Sequence, residues 1–350
     1  MKRILILTPS PDVPGGVANY YATLKLDNCD GIDYFYVGSK DSEKISFPIL
    51  RFFRFIKFYR IIKNYEVVLV NPSLDFKGFF RDSIYICLAK NKNKKVITFF
   101  RGWDTDFEHF LENNKLFRMY FKSTFGRTDE FIVLGKIFEN SLKNLISTDM
   151  ICHIETTVAN DTSLNFYTPI VNRLDSNINL LFLGRIVKSK GIQIAIDIIR
   201  KINENSDRVT LHVLGDGPDL DEIKSSAINE KIIFHGYLKG EEKYRIISNC
   251  HILLLPTLYK EGLPNAILES MLFGLAIFST KVAGIPDIMQ ESINGFIINP
   301  GNLNECVEKV MNLIDNQSLL IKISETNHIK AKGAFVPEVV RKRLLKILNG

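Results

Sequence analysis

The sequence predicts an α/β protein of two parallel-sheet domains, and three observations carry that expectation. Short apolar runs alternate with helix-period segments along most of the chain. A strand, a glycine-bearing turn and a helix occur near the start and again about half a chain later. The 350 residues, 46% hydrophobic and 24% charged, are enough for two ordinary cores. Alternation of this kind means parallel strands covered by helices on both faces, so two Rossmann-like domains facing a central cleft are expected.

The elements follow in order. KRILIL is the first strand, PSPDVPGGV the loop after it, and a helical run begins at Ala18. EVVLVNPS, KKVITFFRG and EFIVLG continue the first domain. NINLLFLGR opens the second, followed by the basic loop IVKSKG and the helix IQIAIDIIRKI, whose spacing puts Ile194, Ile198, Ile199 and Ile202 on one face. RVTLHVLG, KIIFHGYL, HILLLPT and LAIFST are its remaining strands. The polar stretch Asn160 to Asn177 separates the halves, giving one Rossmann-like domain over 1–165 and a second over 170–335. The last helix, within 336–350, is expected to pack back on the first domain.

Bulk properties exclude several classes. The five cysteines, Cys29, Cys87, Cys152, Cys250 and Cys306, form no CxxC pair, so neither a zinc site nor a disulfide framework is indicated and a reducing, cytoplasmic location fits. The apolar run at the N-terminus is four residues long, too short for a signal peptide, and no run approaches the ~18 residues of a spanning helix. The net charge of +6 is concentrated: Lys44 to Lys63 holds six basic residues and no acid. No nucleic-acid motif accompanies it. Residues 47–65, FPILRFFRFIKFYRIIKNY, are basic and aromatic and point to peripheral contact with an anionic membrane, on the inner face of the plasma membrane. Their basic residues recur every three positions and spiral around a helix, so a packed helix with snorkelling bases is the alternative.

Four segments carry candidate chemistry. In KEGLPNAILES, Glu261 and Glu269 sit eight apart, with Leu263, Pro264 and Asn265 between them. Asn265 is a good N-cap for the helix carrying Glu269, and a helix N-terminus after a parallel strand suits phosphate. The two acids suit hydroxyl-rich groups beside it; a capped helix with a solvated glutamate is the plain alternative. In LGRIVKSKG, Gly184 allows a tight exit from the strand, while Arg185 and Lys190 converge on an anion, or are simply solvated cations. Gly15 and Gly16 let the backbone approach a bulky ligand. Gly215 lies in LGDGP, another turn after a strand.

The order of these segments, with FHGYL, VAGIPDI and INGFIINP, resembles glycosyltransferase family 4, the retaining, GT-B-fold transferases, over nearly the whole length. The resemblance implies that Glu261 faces the donor sugar, Glu269 binds the nucleotide ribose, Arg185 and Lys190 clamp the diphosphate, and Gly15 and Gly16 lie near the donor phosphates and the acceptor. It implies a nucleoside diphosphate sugar as donor, a lipid-linked glycan as acceptor, as in bacterial polysaccharide or lipopolysaccharide assembly, and no metal or other cofactor. One position departs. Where that family often has His-Gly, this chain has Arg101-Gly102, and an arginine does not act as a base but can hold a phosphate or a charged sugar group. The departure leaves open an inactive nucleotide- or glycan-binding subunit; a sugar-nucleotide epimerase is a further alternative. Asp104-Thr105-Asp106 matches a metal-binding tripeptide of another transferase fold, but no oxygen-ligand cluster completes it, and His109 reads as packing on an aromatic-rich helix.

Overall fold

The computed structural model describes residues 2–13, 15–37, 47–174, 177–204, 208–227, 231–259 and 262–350, with the backbone alone over 47–51. The chain divides into two compact units, one of Met1–Val158, Lys260–Leu263 and Pro337–Gly350, the other of Ala159–Tyr259 and Pro264–Val336.

The first unit runs β1 (Ile4–Thr8), α1 (Gly16–Leu24), β2 (Ile32–Tyr36), α2 (Phe47–Ile61), β3 (Val67–Val70), β4 (Ser73–Leu74), α3 (Phe76–Lys90), β5 (Lys95–Phe99), β6 (Gly102–Trp103), α4 (Thr105–Asn113), α5 (Lys115–Thr124), β7 (Glu130–Val133), α6 (Lys136–Leu145) and β8 (Ile151–Ile154). Its main sheet has the order β2-β1-β3-β5-β7-β8 with every pairing parallel, and the direction of build reverses between β1 and β3. Central strands are apolar throughout because helices cover both faces; all of β3 is buried. The edge strands β2 and β8 are half exposed, so their sequences mix polar and apolar residues and do not stand out as strands.

The second unit runs β9 (Ile178–Leu183), α7 (Ile192–Asn203), β10 (Val209–Leu214), α8 (Leu220–Ser226), β11 (Ile232–Gly236), α9 (Gly240–Ser248), β12 (Ile252–Leu255), α10 (Asn265–Leu272), β13 (Ala276–Ser279), α11 (Ile285–Ile288), β14 (Gly295–Ile297), α12 (Leu303–Asp315) and α13 (Gln317–Ala334). Its sheet is parallel in the order β11-β10-β9-β12-β13-β14, reversing between β9 and β12. Helix α7 buries Ile192, Ala195, Ile196, Ile198, Ile199 and Ile202. Ile194 is only half-buried, because the stripe facing the sheet is centred one position away from the expected one. Burying each isoleucine contributes about 1.5–3 kcal/mol.

The final helix, α14 (Pro337–Asn349), belongs to the first unit. Arg343 donates from Nε and Nη2 to Glu155 just after β8, at 3.0 and 2.9 Å, and also to Thr156. Glu155 is buried, so this forked pair fixes the helix where a lone acid would be costly. Helix α2 buries Phe58 against Phe35 and Tyr85, while Lys57 and Arg60 stay exposed and Arg54 donates to the Val37 carbonyl. Among the described residues no helix is long and apolar enough to cross a membrane.

In the second unit, His212 on β10 and His235 on β11 stack and share a 2.9 Å hydrogen bond between ring nitrogens. Burial, with the charges of His235 and His251 adding, lowers the His212 pKa to about 4; burial lowers that of His235. As pH falls below the unfolded value of about 6.5, the unfolded chain takes up protons that the folded pair refuses. The contribution to stability is therefore complete above about pH 6.5 and is lost as pH drops towards 4. His212→Gln should flatten the fall in urea midpoint between pH 7.5 and pH 5; an unchanged slope would assign acid sensitivity to other groups.

Candidate functional site

Loops leaving the carboxyl ends of parallel strands at a reversal of strand order form a crevice that no crossover helix fills. In the second unit that reversal lies between β9 and β12, and Gly184, Arg185, Lys190, Pro264, Asn265 and Glu269 follow these two strands. The loop after β9 carries Gly184, Arg185 and Lys190; the segment after β12 leads to α10.

Backbone contacts fasten these loops. The Leu258 N–H donates to the Ser189 carbonyl at 2.8 Å, joining the two. Gly191 has φ +80°, and a Cβ there would lie 2.1 Å from the Pro256 carbonyl oxygen. Gly215 has φ +154°, and its Cβ would lie 1.8 Å from the Gly184 oxygen. The tightness expected at Gly184 therefore belongs to its neighbour: a Cβ on Gly184 meets nothing within 4 Å. That side of Gly184 is free for a ligand.

The Arg185 side chain is exposed and makes no hydrogen bond or ion pair among the described residues. Lys188 is tied to Glu222 at 2.6 Å, and its N–H to Asp219, so this cation is already neutralised. Lys190 lies with Nζ 4.8 Å from the centre of the Tyr259 ring, a cation–π contact that steers it. Helix α10 starts at Asn265 with Pro264 as its cap residue and no side-chain cap. Asn265 is thus the first helical residue and not the expected cap, and the N–H groups of the first turn remain unsatisfied by a side chain. Such an end is suited to an anion.

Glu269 is buried one turn in, and Lys243 of α9 reaches its Oε1 at 2.6 Å. This partner was not legible in the sequence, where Lys243 is one charge among several on a polar helix. The ion pair compensates the buried acid and leaves acceptor capacity for hydroxyl groups. Glu261 lies outside the described residues. A separate cavity of about 540 Å³ opens beyond the ends of β13 and β14, lined by Thr280, Lys281, Val282 and Ile298 among others. Its Lys309 is already paired with Glu305.

Gly15, Gly16, Arg101 and Leu263 belong to the other unit. Gly15 and Gly16 are exposed at the start of α1, with nothing within 4 Å of a Cβ on either, and Leu263 is buried. Arg101, just after β5, lies over Tyr20 at 3.9 Å and Phe99 at 4.3 Å. Tyr20 on α1 is fully buried, and that burial raises its pKa to about 12 against the opposing charge of Arg101. Asp104 caps α4, accepting from the N–H groups of Asp106 and Phe107, which gives the Asp-Thr-Asp tripeptide a structural role. His109 does not pack: it is exposed and bonded to Glu112, because its side of α4 faces away from the core.

Two such units define the GT-B fold. Residues 177–316 match the family model described as glycosyl transferases group 1. Among curated proteins, the chain is 27% identical over 158 residues to the sulfoquinovosyl transferase SQD2 of Arabidopsis thaliana, covering 44% of this chain and 29% of that protein. It is 22% identical over 268 residues to the amylovoran biosynthesis glycosyltransferase AmsK of Erwinia amylovora, covering 73% and 64%. The chain thus spans less than two thirds of the length of both relatives. The crystal structure of Anabaena HepE in complex with UDP and glucose superposes with a TM-score of 0.75 at 15% identity, over 100% of both chains.

Two glycine substitutions separate folding from ligand approach. Gly215→Ala should destabilise the second unit by about 2 kcal/mol or more, from strain plus contact with the Gly184 oxygen. Gly184→Ala should leave the urea midpoint almost unchanged while weakening nucleotide binding. Equal stability losses would mean that Gly184 is held by packing after all.

Proposed function

We propose that the chain is a retaining glycosyltransferase. It moves a sugar from a nucleoside diphosphate sugar to a hydroxyl of a growing, lipid-linked glycan in bacterial polysaccharide or lipopolysaccharide assembly. The observation that carries this reading is the fastened pair of loops at the β9/β12 reversal, which presents Arg185, Lys190 and the uncapped end of α10. Here the donor diphosphate meets a planar fork, a point charge and a helix dipole, which neutralise it without a metal ion. Glu269, held by Lys243, accepts from the ribose hydroxyls, and the resemblance to family 4 gives Glu261 the donor sugar. As the glycosidic bond breaks, the leaving diphosphate oxygen takes the acceptor proton on the same face, so stabilisation of its charge is the main catalytic contribution. The family match over 177–316 and the similarity to the amylovoran biosynthesis glycosyltransferase support this.

The first unit is the acceptor side of this reading. Its helices α3, α4 and α5 expose Phe76, Phe80, Ile84, Phe110, Leu116 and Met119 on neighbouring turns, with Phe117 in ring contact with three of them. Lys77, Lys115 and Lys122 are exposed on the same helices. Phe52 and Phe53 of α2 are also exposed. This combination suits peripheral contact with an anionic lipid surface on the cytoplasmic side, where the lipid-linked acceptor would be met.

Thermal unfolding with UDP, GDP, ADP, CMP and dTDP tests the donor assignment. A ligand at about 100 times its Kd adds roughly 2.7 kcal/mol, enough for a shift of a few degrees. A shift with one diphosphate names the base; none with any removes the nucleotide site. Lys190→Ala should lower kcat about 100-fold, and Glu269→Gln should raise the donor KM about tenfold, in a transfer assay with the matching sugar nucleotide. Undiminished transfer by Lys190→Ala would remove that residue from the role.

Flotation with vesicles tests the lipid contact. Binding to phosphatidylglycerol vesicles should exceed binding to phosphatidylcholine vesicles, fall at 0.5 M salt, and fall further in the Phe80→Ser, Leu116→Ser double variant. Equal flotation on both compositions would leave no role for the lysines.

A further inference from the structure

The half-buried arginines of this chain show what ordinarily becomes of a guanidinium. Arg81 is forked onto Asp82, and Arg343 onto Glu155. Arg118 donates to the Asn144 carbonyl, and Arg173 to those of Ser248 and Phe273. Among the described residues the Arg101 side chain has neither kind of partner. Its Nε and Nη1 are buried without a hydrogen bond of acceptable geometry, the Tyr20 hydroxyl lying close by, and no carboxylate among the described residues pairs with it. Tyr20, whose ring supports it, has a buried hydroxyl that also makes no hydrogen bond of acceptable geometry. Glu155, the acid whose charge reaches Tyr20, is committed to Arg343.

Two aromatic faces hold the cation in position but satisfy none of its N–H groups. A charge kept there unpaired and partly desolvated is unfavourable until an anion arrives. Arg101 as a whole is only half-buried, so part of its side chain stays accessible to one. Arg101 leaves the carboxyl end of β5, and Tyr20 lies on the helix that follows β1, at the same end of the sheet where ligands of open α/β sheets bind. Exposed Gly15 and Gly16 start that helix without a Cβ to obstruct approach.

Resting on the transferase reading above, in which the second unit supplies its own cradle for the donor diphosphate, we propose that Arg101 receives an anionic group, a phosphate or a carboxylate, carried by the acceptor. Planar guanidinium donors match both groups, and the aromatic faces orient the plane before the ligand binds. Arg101 is then a specificity-determining residue that selects a charged glycan over a neutral one.

The test measures binding of D-glucuronate and glycerol 1-phosphate against neutral D-glucose and glycerol, by ligand-observed NMR, with and without saturating UDP. The wild-type chain should prefer at least one anionic probe by about tenfold, the scale of one charge-assisted hydrogen bond. Which probe is preferred distinguishes carboxylate from phosphate. Arg101→Gln should abolish the preference and Arg101→Lys retain part of it, with UDP affinity within about twofold of wild type in both. Arg101→His serves where the glutamine variant fails to fold. No anionic preference in the wild type, or one that survives Arg101→Gln, overturns the proposal. Loss of UDP affinity in the Arg101 variants overturns it too, by assigning the residue to the donor. Failure of the wild type to bind UDP instead refutes the donor site, while the probe comparison without nucleotide still reports on Arg101.

Discussion

Backbone packed directly on backbone at the carboxyl ends of β9, β10 and β12 is the constraint on which the second unit's site depends. The Pro256 carbonyl fills the space where Gly191 would carry a side chain, and the Gly184 carbonyl does the same at Gly215. The Leu258–Ser189 hydrogen bond closes the arrangement. Three loops that could each wander are thereby locked to one another. Arg185 and Lys190 project from a backbone with little freedom left to lose, so less ordering entropy opposes ligand binding. Parallel strands make this possible, since every crossover delivers its loop to the same end of the sheet.

Charge is handled differently in the two units. Glu269 is buried beside Lys243, so the acid is compensated before any ligand arrives and can use its remaining lone pairs on hydroxyls. Arg101 is held by rings that orient it without compensating it. Burial on aromatic faces is an effective way to fix a guanidinium while keeping its charge available. Lys188 shows the opposite outcome: two positions before Lys190, its ammonium is paired with Glu222 and its backbone N–H with Asp219.

Much of this was legible beforehand. Continuous apolar runs marked β3, β9 and β12 as strands covered on both faces, and the alternation with helices made the sheets parallel. The edge strands β2, β8 and β14 escaped, because one-sided or short strands lack a continuous apolar run. Local reasoning also misplaced details. Asn265 is a favourable cap, yet the backbone turns one residue earlier, at Pro264. Gly184 reads as the tight residue after β9, yet the crowding is at Gly215, which approaches it from the next strand. The Asp-Thr-Asp tripeptide is accounted for by the capping of α4.

The sequence by itself determined the class of fold, because hydrophobic period and glycine placement are local properties of a chain. Only the tertiary structure decided which charges meet. Lys243 and Glu269 are 26 residues apart by number, and Tyr20 and Arg101 are 81 apart. Their contacts follow from which strands become neighbours in a sheet, and spacing along the chain does not encode that. Whether a cation is consumed, as at Lys188, or kept available, as at Arg101, depends on what the fold brings within about 3 Å of it.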